Sequence, residues 1–170
     1  MSRRFGCVLL LAATGLGAGC AYSTSTVGLP PHIRTVAIPV FENGTDQYTL
    51  EQDITTAVVN AFVADNHLKV VDERSADAVL HGRVTAYRNS VFGISPQNLA
   101  QEYRVTIVVA VVFKDQVKNR ELWNDQNLVK TANYYVQNVP GQTASTELDG
   151  RKNAIAKIAD EILTRSVQGW

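Results

Sequence analysis

The residues able to do chemistry are few and scattered. The three histidines, His32, His67 and His81, lie far apart, and none stands with another histidine at a metal-ligand spacing. There is no Gly-x-Ser-x-Gly elbow and no glycine-rich loop that could cradle a phosphate. Asp72 and Glu73 are adjacent carboxylates, but Lys69 and Arg74 flank them, which suits a solvated turn better than a general acid and base. His81 falls within an alternating strand pattern and reads as a sheet-surface residue. No catalytic centre is expected, and no metal or cofactor.

The cysteine with a chemical future is Cys20. Arg3 and Arg4 precede an apolar run over residues 5–16, then come Leu16-Gly17-Ala18-Gly19-Cys20, and the chain turns polar at Ser23-Thr24-Ser25-Thr26. A charged start, a short apolar middle and small residues before a cut make an export signal, and the run is too short to span a bilayer. The segment resembles the bacterial lipobox, in which Cys20 would be lipidated, with palmitate among its acyl chains, and become the first residue of the mature chain. It departs from that pattern at Gly17, where a large aliphatic residue is usual; Leu16 stands one place further out. Ala21 implies sorting to the outer membrane, where an aspartate would imply retention at the inner one. Residues 1–19 are thus expected to be a signal peptide, 20–33 a lipidated tether containing Gly28 and Pro30-Pro31, and 34–170 a single domain.

Composition limits what that domain can do. Loss of the first nineteen residues removes two of sixteen basic residues and none of sixteen acids, leaving a net charge of −2. Bulk charge therefore gives no basis for binding nucleic acid, and an anion site has to come from local clustering. With Cys7 in the signal and Cys20 in the anchor, the mature fold has no cysteine for a disulfide, and about 150 residues suffice to bury a core without one.

Hydrophobic periodicity supplies the scaffold. A strand is expected over residues 34–41, at an edge or bulged because Pro39 lacks a ladder donor. Thr49 and Gln52 have the spacing of a capping box. Leu50, Ile54, Ala57, Val58, Ala61 and Phe62 then mark one face of a helix. A short strand follows over 68–71. Alternation over 78–87 places Leu80, Val84 and Ala86 on one side and Val79, His81, Arg83, Thr85 and Tyr87 on the other. Residues 89–101 read as a long loop, and 102–114 as the longest strand. Another strand over about 121–135 precedes a closing helix, capped at Thr146 and Asp149, with a stripe of Leu148, Ile155, Ile158, Ala159, Ile162 and Leu163. Gly150 is a local weakness in that helix. The order β-α-β-β-β-β-α predicts an α+β two-layer sandwich, a four- to five-stranded mostly antiparallel sheet with two helices on one face.

Two helices cover one sheet face and leave the other bare. On the longest strand Tyr103, Val105, Ile107, Val109, Val111 and Phe113 should lie under the helices. The opposite face carries Val108, Ala110 and Val112 between Arg104 and Lys114. An apolar centre on an uncovered face suits a partner or lipid acyl chains. Arg83, Arg104, Lys114, Lys118 and Arg120 come from the same strands and turns and are candidates for holding an anionic lipid head.

Three segments together resemble a known family. They are residues 34–43 with the helix after them, Ala76-Asp77-Ala78-Val79-Leu80-His81-Gly82-Arg83-Val84, and Glu102-Tyr103-Arg104-Val105-Thr106 running on to Glu121-Leu122-Trp123. Behind a lipobox, they resemble the lipopolysaccharide-assembly lipoproteins of the LptE family. The resemblance implies a non-enzymatic lipoprotein of the Gram-negative outer membrane, on its periplasmic face. It also implies a plug in a β-barrel translocon (LptD-like) that contacts lipopolysaccharide in transit. The Val-Ala-Ile-Pro-Val-Phe strand also occurs in curli-secretion-like and TolB-amino-terminal-like domains. That leaves open a periplasmic lipoprotein of a secretion or lipid-transport apparatus.

Overall fold

The stretch around Pro39 makes two short strands rather than one: β1 (Thr35–Ala37), begun by the β-branched pair Thr35-Val36, and β2 (Glu42–Asn43). The computed structural model describes residues 29–168 apart from 98, 137 and 138, so the expected signal peptide, Cys20 and most of the tether lie outside the described residues. The end of the expected tether already belongs to the folded body. Ile33 is buried in the core, and His32 Nε2 lies 3.0 Å from the buried Asp115 carboxylate.

β1 is not an edge strand. It pairs in parallel with β3 (Lys69–Val70) on one side and with β4 (Ala78–Ile94) on the other, stopping before Pro39 so that the missing donor falls in the break. Asp77 fastens its start, accepting from the backbone N–H groups of Arg34 and Thr35 and from the Thr35 hydroxyl. Beyond the break Phe41 turns into the core and lies across Gly82 of β4, where a Cβ would stand 2.1 Å from its ring. β2 then pairs in parallel with β4 at Arg83 and Val84.

Helix α1 (Leu50–Asp65) buries Leu50, Ile54, Thr55, Val58 and Phe62, with Ala57 and Ala61 half-buried beside them. The capping box expected at Thr49 does not form. Thr49 has φ 65° and makes no side-chain cap bond. Asn43 organises the approach instead: its side chain accepts from the Thr45 backbone and hydroxyl and donates to Gln47 O and Glu51 Oε2. Asn66, at φ 59°, ends the helix by donating its N–H to Phe62 O.

Three long antiparallel strands follow: β4, β5 (Ala100–Asp115) and β6 (Arg120–Tyr135). The expected loop over 89–101 is mostly strand, because β4 and β5 keep pairing as far as Ile94 opposite Ala100. A bulge between Val84 and Ala86 reverses the faces of β4 beyond it. Ala86 is therefore exposed, while Tyr87 is half-buried against the core, the opposite of strict alternation.

Helix α2 (Glu147–Val167) begins with the expected capping box between Thr146 and Asp149. It buries Gly150, Ala154, Ile155, Ile158, Ala159, Ile162 and Ser166, whereas Leu148, expected in the stripe, is 45% exposed. Gly150 is there for closeness: a Cβ would stand 2.8 Å from Tyr134 Cδ1. The sheet order is β3-β1-β4-β5-β6 with β2 beside β4, six strands of which three are long. Both helices pack on one face, giving an α+β two-layer sandwich.

Candidate functional site

β5 alternates without interruption, so it sorts its side chains cleanly between two faces. Val105, Ile107, Val109, Val111 and Phe113 are fully buried, whereas Arg104, Thr106, Val108, Ala110, Val112 and Lys114 are half-buried on the other side. Neither α1 nor α2 lies over that second face, and only its Lys114 end is covered, where Ala37 and Val79 are buried with Ala76. Its apolar centre is widened by register: Val108 stands opposite Ala86 of β4 and Val129 of β6, and Val112 opposite His81.

Cations border this strip. Arg83 pairs across from Ala110, and its Nη1 lies 3.7 Å from Glu42 Oε2, both side chains well exposed. Lys114 shares a shallow depression with His81, Gln116 and Asn119 at one end. Arg104 lies toward the other end, ten residues and about 33 Å of strand away. Its Nε donates to Asn133 Oδ1 at 2.8 Å, and its guanidinium lies 3.3 Å from the Phe92 ring centroid. Arg88, opposite Thr106, joins the same face. Strict alternation from Tyr87 would turn Arg88 to the helix side; the bulge turns it outward.

Not all the expected cations gather here. Lys118 lies in the β5–β6 turn and Arg120 is the first residue of β6, opposite Asp115, both off the open face. Arg120 Nε lies 3.5 Å from Asp115, which also receives the Lys118 N–H and faces His32. Burial opposes the charge of Asp115, yet the Lys118 N–H and His32 hold its carboxyl below the ordinary value. Asp77 is lowered too, first by the Arg34 N–H and then by the Thr35 hydroxyl. On the helix side, burial and a bond to Glu147 push the Tyr87 phenol well above its usual range. These groups hold the fold together. Among the described residues no cluster of three His, Cys, Asp or Glu side chains could hold a metal.

The model of the LptE lipopolysaccharide-assembly family matches residues 33–166, nearly the whole described body. The chain belongs to this family. No curated protein matches it. Among solved structures, the hypothetical protein CT253 from Chlamydia trachomatis is similar in fold at a TM-score of 0.54 and 9% identity, over 78% of this chain and 95% of that one. The PelC dodecamer from Paraburkholderia phytofirmans gives 0.49 at 16% identity over 84% and 95%. Rare lipoprotein B from Shewanella oneidensis gives 0.48 at 18% identity over 75% and 91%. This LptE-family chain thus carries its family's lipopolysaccharide-assembly assignment on a sheet with one face that neither helix covers.

Proposed function

We propose that the chain is a non-enzymatic lipoprotein of the outer membrane, anchored through Cys20 on the periplasmic face. In this reading it partners a β-barrel translocon (LptD-like) and contacts lipopolysaccharide with its open sheet face. The observation that supports it is the strip of Val108, Ala110 and Val112, uncovered by either helix and bordered by Arg83, Arg88, Arg104 and Lys114. Apolar atoms in the middle suit acyl chains or barrel side chains, and guanidinium forks suit phosphates and carboxylates at the margin. The candidates at the β5–β6 connection, Lys118 and Arg120, are secondary, since Arg120 is already held by Asp115.

Affinity purification of the chain from outer membranes tests this reading. The unsubstituted chain should retain a large barrel and lipopolysaccharide, while Val108→Asp with Val112→Asp should lose them with the fold intact. Retention of both by the double variant would overturn the role of this face. Recovery of a ring of this chain alone, without a barrel, would overturn the partner. With Cys20→Ala exported by a cleavable signal, partial barrel association is expected, because a plug is held by the surface it fills.

A further inference from the structure

The helix layer has an outer surface as well as the one it turns to the sheet. Leu50, Ile54 and Val58 of α1 and Ala154 and Ile158 of α2 fill the core, so the groove between the helices looks away from the open sheet face. Asp53, Thr56 and Ala57 line one side of this groove and Leu148, Arg151 and Ile155 the other, around a volume of about 590 Å³. Leu148 stands 45% exposed on its wall.

The polar part of the groove is short of acceptors. Arg151 Nη2 lies 3.8 Å from Asp53 Oδ2, beyond hydrogen-bond reach, and its Nε is buried with no acceptor among the described residues. Buried polar groups are nearly always bonded, so this one marks a missing partner. The neighbouring acids are already taken. Glu147, one turn earlier, accepts from the Tyr87 hydroxyl, Asp149 closes the capping box with Thr146, and Glu51 accepts from Asn43. Lys152 adds a second, exposed cation to the lining. Two cations against one loosely held acid complement one further negative charge.

The groove fits a carboxylate better than a lipid head. A guanidinium presents Nε–H and one Nη–H side by side, a fork matched to two carboxylate oxygens. Arg151 keeps 17% of its side chain exposed, so the fork can turn toward an incoming acceptor. Ala57, Leu148 and Ile155 beside it suit apolar neighbours of that acid. No further cation lines the groove among the described residues, whereas a head with several phosphates needs more than one basic centre.

We propose that this interhelical groove receives an aspartate or glutamate, flanked by apolar residues, from an inward-facing segment of the barrel partner. The proposal rests on the plug reading above, and it gives the barrel a contact on the face opposite the lipid strip. A plug is surrounded by its wall, and the wall is what can cover the helix layer.

The test uses the full lipidated chain purified from outer membranes, with p-benzoylphenylalanine in place of the exposed Thr56. Irradiation should join it to the barrel at a segment containing Asp or Glu. Leu148→Asp and Arg151→Gln should each lower barrel retention about tenfold or more. Arg151→Lys, which keeps the charge and loses the fork, should fall between them and the parent. Arg151→Gln removes no hydrogen bond of the fold and should melt with the parent; if it unfolds, Leu148→Asp, on an exposed side chain, decides the matter. The isolated groove variants should bind purified lipopolysaccharide like the parent, unlike Val108→Asp with Val112→Asp. A parent that retains no barrel overturns the plug reading and this proposal with it. With the barrel retained, the proposal alone is overturned if both groove variants retain it fully, if the adduct forms with lipopolysaccharide, with a second copy or with a segment lacking an acid, or if lipopolysaccharide binding falls instead.

Discussion

The two faces of β5 are built from almost the same residues and have opposite fates. Val105, Val109 and Val111 vanish beneath two helices, while Val108 and Val112, their immediate neighbours, stay half-buried with neither helix over them. β propensity explains valine on either face. It does not explain why one valine row is sealed and the other is left open between arginines. The difference lies in what the rest of the chain supplies. Two amphipathic stripes are enough for one sheet face, and both connections, β2 to β3 and β6 onward, pass over the same side. The inner row therefore sets stability, and the outer row is free to serve a partner.

Paired substitutions should separate these roles most sharply. Val109→Asp places a charge in the sealed core and should cost about 4 kcal/mol or more, enough to abolish a cooperative thermal transition. Val108→Asp, one residue away, should cost about 1 kcal/mol or less. Thermal melts followed by circular dichroism decide it. Equal losses would mean that the outer row is structural as well.

A smaller effect is expected where the helix layer meets the sheet. In an ordinary helix Gly150→Ala would gain roughly 1 kcal/mol from propensity. Here the new methyl would stand 2.8 Å from the Tyr134 ring and 3.3 Å from Val105 Cγ2. Overpacking of this kind costs typically 1–3 kcal/mol, so a net loss of about 1 kcal/mol is expected in denaturant titration. A gain would show that α2 can lift away from the sheet, weakening the contrast between a rigid inner face and an adaptable outer one.

Acid should loosen the strapped end of the helix-covered side. Asp77 and Asp115 both have folded-state values below the ordinary 3.8. Their contribution is fully present above that value and is lost as the pH falls through the lower folded-state values. The melting midpoint should therefore drop below about pH 4, with amide exchange rising first at Arg34 and Thr35, whose N–H groups Asp77 accepts. In Asp77→Asn the early exchange at β1 should already be present at neutral pH. Unchanged exchange at these two amides would remove Asp77 as the fastening of β1.

Much of this division was legible in the residues. The period of two along β5 and the stripes of α1 and α2 place both layers and identify the bare face by subtraction. The failures have specific physical causes. The bulge at Val84–Ala86 has no strong local signature, so strict alternation puts Ala86 and Tyr87 on the wrong faces. Residues 89–101 read as a loop, but cross-strand pairing carries β4 to Ile94. Gly150 reads as a defect in isolation, and only the fold presses Tyr134 against it; Pro39 reads as a sign of an edge or a bulge, whereas β1 stops short of it. Each was decided by a neighbour distant in sequence. The same holds for Arg120: its place in a turn suggested a free cation, and only the fold brings Asp115 and His32 beside it.

The smallest stability effect is expected on the open face itself. Arg83 and Glu42 lie 3.7 Å apart with side chains 61% and 74% exposed, so water and salt screen the pair. Arg83→Gln should change stability by no more than about 0.5 kcal/mol, and a Glu42→Gln cycle should give a coupling of the same small size. If this cation borders a lipid-binding strip, the same substitution should weaken lipopolysaccharide retention, and Glu42→Gln should strengthen it by freeing the guanidinium. A melt unchanged while binding moves in opposite directions for the two variants would assign the pair to recognition. A melt that falls as far as that of Gly150→Ala would assign it to the parallel pairing of β2 with β4 at Arg83, and would make the margin of the open face part of the scaffold.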